Sequence, residues 1–276
     1  MKIIGSVKED LSFEKRVSIT PEVVKKYVNL GFSINLEKNY AEHLGIKDDN
    51  YKKNGASIGL SKEDVLKKSE IILAVNCLAD NESNIIKNNS ILIGQFDPSL
   101  NKDFINNLIK KNIKIFSLNL LPRITRAQSM DVLSSQANLA GYKAVVESFS
   151  LFEQVIPMMM TAAGTVPATK VLIIGAGVAG LQAIATAKRM GAIVFATDVR
   201  AAVKEQVESL GGKFLMVEGS EDLETKEGYA KEASDEFKKK QEELLSETLK
   251  KVDIVICTAL IPGKKAPLII KENMIN

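Results

Sequence analysis

Three glycines in the stretch VLIIGAGVAGLQAIATA, residues 171–187, have the type and spacing of a phosphate-binding turn. An apolar run precedes Gly175 and a helical pattern begins at Val178, so the stretch predicts a strand, a tight turn and a helix. Gly175 permits the turn, Gly177 lets the backbone approach a pyrophosphate, and Gly180 lets helix and strand pack closely. The helix N-terminus at Val178 then offers N–H groups to the phosphates. The sequence therefore predicts a dinucleotide site.

The choice of dinucleotide depends on Asp198, which lies eighteen residues beyond Gly180 at the end of the next apolar run. A carboxylate there accepts hydrogen bonds from the ribose hydroxyls and repels a 2′-phosphate, which favours NAD(H) over NADP(H). Arg200 is the opposing signal, because an NADP site uses an arginine nearby. Alternatives are a strand-end cap for Asp198, and FAD or a methyl-donor nucleotide as ligand. A complete α/β segment precedes the glycines, unlike in most flavoproteins, so we expect NAD(H).

Short apolar runs alternate with helical patterns along the chain, as in KIIGSV, TPEVVKKYVNLG and FSINLEK. Such alternation predicts an α/β protein with parallel sheets covered by helices. A long helix from near Met130 joins the two halves, with Asp131 and Ser134 on its polar stripe. We predict two Rossmann-like doubly wound domains with a cleft between them, an N-terminal α/β domain over 1–136 and an NAD(H)-binding domain over 137–276. The second supplies about four strands, so we expect it to be incomplete at its C-terminus.

Composition excludes several classes of function. The chain is 45% hydrophobic and 26% charged, and its 37 basic and 34 acidic residues are mixed along the sequence, which argues against nucleic acid as a partner. His43 is the only histidine and the two cysteines, Cys77 and Cys257, lie far apart, so we expect no metal site. Three glycines and Gln182 interrupt the most apolar run, so we expect no direct membrane insertion.

Three further segments are more specific than the glycine turn: RITRAQSMDVLSSQANLAGYKAVVE at 123–147, PMMMTAAGTVPATK at 157–170 and TALIPGKKAP at 258–267. With them the chain resembles the NAD(H)-binding component of the proton-translocating NAD(P) transhydrogenase family, whose fold is shared with alanine dehydrogenase. The resemblance implies hydride transfer between NADH and NADP bound on a partner domain, coupled to proton translocation by a membrane partner. Such a transfer needs two positioned nicotinamides and no acid/base side chain.

The resemblance also implies which residues orient the nicotinamide end of NAD(H): Arg123, Gln128, Asp131 and Ser134. Gln128 and Asp131 are the expected catalytic residues, with a positioning role and no proton transfer. Helix capping and ordinary solvent exposure are the alternative roles for Asp131 and Ser134.

Two more parts of the expected nucleotide site lie later in the chain. Tyr229 matches a tyrosine on a mobile loop that closes over the nucleotide in the family, although Ala233 departs from the methionine of that loop. Thr258 and Ala259 end an apolar run on the sheet edge where ligands bind in doubly wound folds.

An NAD-dependent amino-acid dehydrogenase is the second hypothesis. Alanine dehydrogenase uses an arginine, a lysine and a histidine for substrate binding and acid/base work. Arg16 matches the arginine, but Asn76 stands where the lysine would be and Asp97 near the place of the histidine. Oxidation of an amine needs such proton transfers, so this hypothesis is disfavoured. A non-catalytic NAD-binding module is the third hypothesis.

The resemblance finally implies an assembly. The expected partners are the NADP-binding and membrane-spanning transhydrogenase subunits. A homodimer is expected through the methionine-rich segment at 157–170. The expected location is cytoplasmic, peripheral on the inner face of the bacterial plasma membrane through the partner.

Overall fold

A computed structural model of the chain describes residues 2–97, 101–122, 124–217, 234–260 and 266–275. The chain divides into two compact units, Met1–Asp131 and Val132–Asn276. None of the helices in the described ranges is long and apolar enough to cross a membrane.

The first unit is built on a six-stranded sheet. Its strands are β1 (Ile3–Ser6), β2 (Ser33–Glu37), β3 (Ala56–Gly59), β4 (Ile71–Leu73), β5 (Ile91–Gly94) and β6 (Lys114–Ser117). All neighbouring pairs are parallel and the strand order is β3-β2-β1-β4-β5-β6. This is the order of a doubly wound dinucleotide-binding sheet.

Helices cover both faces of this sheet because its strands are apolar on both sides. They are α1 (Pro21–Asn29), α2 (Asp48–Lys53), α3 (Lys62–Lys68), α4 (Asp80–Ser83) and α5 (Lys102–Lys110), with 3₁₀ helices at Glu42–Leu44, Leu118–Leu120 and Thr125–Met130. Ile72 and Leu92 pack with α3 and α5 on one face, whereas Ile34 and Leu36 pack with α1 and α2 on the other. The alternation of apolar runs and helices therefore builds two hydrophobic cores around one sheet.

The second unit contains a four-stranded parallel sheet and a small hairpin. The hairpin pairs β7 (Met159–Thr161) with β8 (Gly164–Val166). The sheet is formed by β9 (Lys170–Ile174), β10 (Ile193–Thr197), β11 (Lys213–Phe214) and β12 (Ile254–Cys257), in the order β11-β10-β9-β12. This order corresponds to the 3-2-1-4 portion of the doubly wound order, so the described sheet confirms the predicted α/β fold class.

Four helices belong to the second unit: α6 (Val132–Leu151), α7 (Val178–Arg189), α8 (Lys204–Ser209) and α9 (Asp235–Leu249). Helix α6 begins two residues later than expected, because Met130 ends the preceding 3₁₀ helix. The residues of α6 that are fully buried are Gly141, Val145 and Phe149. A Cβ on Gly141 would lie 2.0 Å from the carbonyl oxygen of Ala179, so this glycine allows α6 to pack directly on α7.

The topological switch point of each sheet marks a place where ligands bind in doubly wound folds. In the second unit it lies between β9 and β12, whose chains continue in opposite directions across the sheet. The residues that follow these two strands begin at Gly175 and at Thr258. The fold therefore brings the glycine turn and the TALIPGKKAP segment to one sheet edge.

Candidate nucleotide-binding site

The turn after β9 requires glycine at its first position. Gly175 has φ +94°, a left-handed conformation that residues with a side chain rarely adopt. A Cβ there would lie 2.9 Å from the backbone nitrogen of Ala259 and 3.0 Å from Oγ1 of Thr258. The N–H of Gly175 donates to the carbonyl oxygen of Thr197, with the two atoms 2.8 Å apart. The turn is thus held between β10 and the residues after β12.

Gly180 gives helix α7 its close approach to this turn. A Cβ at this position would lie 1.8 Å from the carbonyl oxygen of Gly175, a distance that no side chain can occupy. The helix axis is consequently directed at the turn from very near. This geometry fits the packing role that the sequence analysis gave to Gly180.

The N-terminus of α7 is open. Gly177 is its N-cap residue and makes no side-chain capping bond, and a Cβ built on it would meet nothing within 4 Å. Val178 follows as the first helical residue and is partly exposed. The first turn of a helix has N–H groups without partners in the helix, and they carry a partial positive charge. The cradle can therefore accept a pyrophosphate against bare backbone.

Thr258 ties the far strand to the glycine turn, a contact that the sequence pattern did not reveal. Its Oγ1 donates to the carbonyl oxygen of Gly175 at 2.8 Å, and its N–H donates to the carbonyl oxygen of Ile174 at 2.8 Å. Ala259 lies against the same turn through its backbone nitrogen. Both residues thus shape the cradle from the opposite side of the switch point.

Asp198 lies directly after β10, beside the turn, and its side chain is only 7% exposed. Oδ2 accepts the N–H of Ala176 at 2.7 Å, and the carboxylate also holds the guanidinium of Arg200. Burial raises the pKa of the Asp198 carboxyl, but the hydrogen bonds from Arg200 and from the two backbone N–H groups outweigh burial and bring the pKa below its usual value. The group is therefore a carboxylate at neutral pH.

The residues expected around the nicotinamide are placed in one continuous segment. Gln128 is exposed in the 3₁₀ helix, and its carbonyl oxygen accepts the N–H of Asp131 at 3.2 Å. Asp131 is the last residue of the first unit, and Ser134 lies in the first turn of α6, both half-buried. Arg123 and Tyr229 lie outside the described residues, as does Ala233.

The first unit repeats part of the cradle without its glycines. Glu37 stands at the end of β2 as Asp198 stands after β10, and Oε2 of Glu37 accepts the N–H of Lys8 at 2.8 Å. However, Lys8 and Glu9 replace the alanine and the second glycine of the turn. The carboxylate of Glu9 accepts the N–H of Val75 at 2.6 Å, so the switch point of this sheet carries an acidic side chain where a pyrophosphate would lie.

The positions that an amino-acid dehydrogenase would use are engaged with one another. The guanidinium of Arg16 forms a fork on Glu14, with contacts of 2.6 and 2.9 Å, and Nδ2 of Asn76 donates to the same carboxylate at 3.0 Å. The Arg16 guanidinium, opposed in part by burial, lowers the pKa of Glu14 to about 2. Within the described ranges, no group of three or more His, Cys, Asp or Glu side chains could hold a metal ion.

Two family models together match nearly the whole chain. The "Alanine dehydrogenase/PNT, N-terminal domain" model matches residues 5–140, and the "Alanine dehydrogenase/PNT, C-terminal domain" model matches residues 144–276. The chain is 49% identical over 279 residues to an NAD(P) transhydrogenase subunit alpha protein of Rhodospirillum rubrum, covering 99% of this chain and 73% of that protein. It is 46% identical to the subunit of the same name from Rickettsia prowazekii, covering 100% of this chain and 73% of that one.

Solved structures separate the two branches of this family by identity. A transhydrogenase structure from Sinorhizobium meliloti matches with a TM-score of 0.86 and 43% identity, over 99% of this chain and 74% of that one. An L-alanine dehydrogenase matches with a TM-score of 0.77 but only 21% identity, over 99% and 70%, which shows a shared fold. The chain therefore belongs to the alanine dehydrogenase/PNT family, and its relatives at 46–49% identity within that family are alpha subunits of NAD(P) transhydrogenase.

Proposed function

We propose that the chain is the NAD(H)-binding component of a proton-translocating transhydrogenase. The observation that carries the proposal is the open N-terminus of α7 at Gly177, next to the ionised Asp198 at the end of the neighbouring strand. Backbone N–H groups there suit a pyrophosphate, and the carboxylate suits a ribose diol. The names of the relatives, NAD(P) transhydrogenase subunit alpha, support the same activity.

The residues proposed to hold NAD(H) share one of three tasks. The cradle and ribose contacts come from Gly175, Gly177, Val178, Gly180, Asp198, Thr258 and Ala259. The nicotinamide is oriented by Arg123, Gln128, Asp131 and Ser134, and Tyr229 belongs to a covering loop. When bound, NADH supplies a hydride from C4 of its nicotinamide, and the acceptor is NADP bound on a partner.

The proposed contribution of the protein is positioning. The described portion of the site offers backbone N–H groups, one carboxylate and polar side chains. Holding two rings at near-attack distance supplies on the order of 7–11 kcal/mol in favourable intramolecular cases. Gln128 and Asp131 are the residues we propose for this task, since their polar groups can hold a carboxamide without moving a proton.

We further propose the assembly in which this component works. Met158 and Met160, at the β7–β8 hairpin, are 62% and 84% exposed, an unusual apolar tip for a free surface. A second copy of the chain is the proposed occupant, giving a homodimer. The NADP-binding and membrane-spanning subunits are the other proposed partners, which would hold the component peripherally at the cytoplasmic face of a bacterial plasma membrane.

A reconstitution separates the three hypotheses. NADH binding to the purified chain is measured by titration, and hydride transfer to an NADP analogue is followed after addition of a purified NADP-binding component. Transfer that depends on both proteins is expected. Tight NADH binding without transfer would favour a non-catalytic module. Formation of NADH from NAD⁺ and alanine by the chain alone would favour an amino-acid dehydrogenase.

A further inference from the structure

The carboxylate of Asp198 is fully engaged by donors of its own chain. Oδ2 accepts from the N–H of Ala176 at 2.7 Å and from Nη2 of Arg200 at 2.9 Å. Oδ1 accepts from the backbone N–H and from Nε of Arg200, both at 2.9 Å. An ionised carboxylate offers about four lone-pair positions, two on each oxygen. Four donors therefore fill the acceptor capacity that a ribose would use.

Two of these four donors are fixed and two can leave. The N–H of Ala176 belongs to the glycine turn and the N–H of Arg200 to the loop after β10, so both are part of the backbone path. The guanidinium fork is a side chain, and its side-chain exposure of 14% shows that it reaches solvent. Only the guanidinium can yield its positions to two ribose hydroxyls without moving the backbone.

We propose that Arg200 is a built-in competitor of the ribose at Asp198, and that the need to displace it weakens NADH binding and narrows the preference for NADH over NADPH. This inference rests on the proposed function. In the nucleotide-bound protein the hydroxyls replace Nε and Nη2 at Asp198, and the guanidinium swings aside. Because it stays within reach of the same ribose edge, its positive charge offsets the repulsion between Asp198 and a 2′-phosphate.

The opposite role for Arg200 makes the opposite prediction. If the guanidinium merely holds Asp198 in the rotamer that binds ribose, then its removal must weaken NADH binding. If it competes, removal leaves Asp198 held by two backbone donors with two acceptor positions open, and NADH binding must tighten. The sign of the change in NADH affinity therefore distinguishes a competitor from a supporting residue.

The test uses Arg200→Ala and Arg200→Lys, with Arg189→Ala as the matched control. Arg189 is an exposed arginine at the end of α7, so its loss changes the net charge equally without touching Asp198. Dissociation constants for NADH and NADPH are measured by titration at two salt concentrations. Thermal unfolding of each variant establishes that it is folded, and Arg200→Gln, which keeps most of the side-chain volume, replaces Arg200→Ala if that protein does not fold.

We expect Arg200→Ala to bind NADH about three- to tenfold more tightly and NADPH more weakly by a similar factor. Arg200→Lys, which donates without a fork, should fall between the wild type and Arg200→Ala, and Arg189→Ala should leave the NADH-to-NADPH ratio unchanged. Unchanged or weaker NADH binding in a folded Arg200→Ala protein would overturn the competitor role. A wild-type chain that binds no NADH would instead overturn the proposed function itself.

Discussion

The hydroxyl of Thr258 donates a hydrogen bond of 2.8 Å to the carbonyl oxygen of Gly175, joining the residues after β12 to the glycine turn. Two segments that are 83 residues apart in the chain thereby form one edge of the cradle. A contact of this kind sets the shape of a turn that must present bare backbone to a phosphate. The stability of the turn is consequently linked to nucleotide affinity.

Replacement of Thr258 by valine tests this link. The variant keeps the side-chain shape but loses the donor, so we expect the free energy of unfolding to fall by about 1 kcal/mol and NADH binding to weaken. Thr258→Ser, which keeps the hydroxyl, should retain most of the stability. Denaturant unfolding and NADH titration measure the two effects, and a valine variant with wild-type stability and affinity would contradict the prediction.

Two glycines of the same turn should respond to alanine in opposite ways. A Cβ on Gly180 would lie 1.8 Å from a carbonyl oxygen, so Gly180→Ala should destabilise the protein by about 1–3 kcal/mol. A Cβ on Gly177 would meet nothing within 4 Å, so Gly177→Ala should change the unfolding free energy by less than about 0.5 kcal/mol. Nucleotide affinity should nevertheless fall in Gly177→Ala, because the methyl group occupies the approach to the helix N-terminus.

Each variant of this pair serves as the control for the other. Unfolding free energies from denaturant titration and dissociation constants for NADH are compared side by side. Equal destabilisation by both substitutions would show that the turn relaxes around either methyl group. Full NADH affinity in Gly177→Ala would remove Gly177 from the phosphate cradle.

The glycine turn and the fold were predictable because they depend on local patterns. Alternating apolar runs and helical segments specify a parallel sheet, and the first and third glycines, at 175 and 180, are required by backbone geometry alone. The fork of Arg200 on Asp198 was anticipated only as a competing signal for cofactor choice. Its geometry depends on a side-chain rotamer that packing selects, which residue spacing does not encode.

Contacts between distant segments account for what the sequence pattern missed. The bond from Thr258 to the turn requires β12 to lie beside β9, and strand order is not visible in either segment. In α6 the apolar periodicity pointed to a face with Ala140, which is exposed, whereas neighbouring Gly141 is buried against α7. A glycine in a helix reads as a weak position in sequence, although here it permits close helix packing.

The ion pair between Glu14 and Arg16 should make the stability of the protein depend on acid pH. Because the pKa of Glu14 is lowered to about 2, its contribution is complete above the unfolded pKa near 4.5 and is lost as pH falls toward 2. Glu14→Gln should therefore lower the unfolding free energy by about 1–3 kcal/mol at pH 7, and by much less near pH 2.5. Unfolding curves of both proteins across this range measure the difference, and a pH-independent gap would contradict the assignment.

The exposed hairpin supplies a test of self-association. Met160 is 84% exposed at the tip of β7, so Met160→Lys should not disturb a core but should place a charge in the proposed contact between two copies. Sedimentation should show a dimer for the wild type and dissociation at least tenfold more readily, about 1.4 kcal/mol, for the variant. Lys250→Glu, on an exposed residue after α9, is the control for altered charge. A wild-type monomer would contradict the proposed dimer.

Gln128 and Asp131 should affect the rate of hydride transfer more than the affinity for NADH. Their proposed task is to orient the nicotinamide, while most contacts to the dinucleotide are made by the glycine turn and Asp198. Small misplacement of a reacting ring costs about a hundredfold in rate, so Gln128→Ala and Asp131→Asn should each slow transfer by about that factor. Their dissociation constants for NADH should change by less than about threefold, about 0.7 kcal/mol.

Thr125→Ala is the matched control for these two variants, since Thr125 is an exposed residue at the start of the same 3₁₀ helix. Single-turnover transfer to an NADP analogue, with all sites filled by NADH, separates the hydride step from binding and product release. A variant that loses affinity and rate in parallel would place its residue in general nucleotide binding. A variant with the wild-type transfer rate would remove its residue from the nicotinamide site, because orientation is the only task that the proposal gives it.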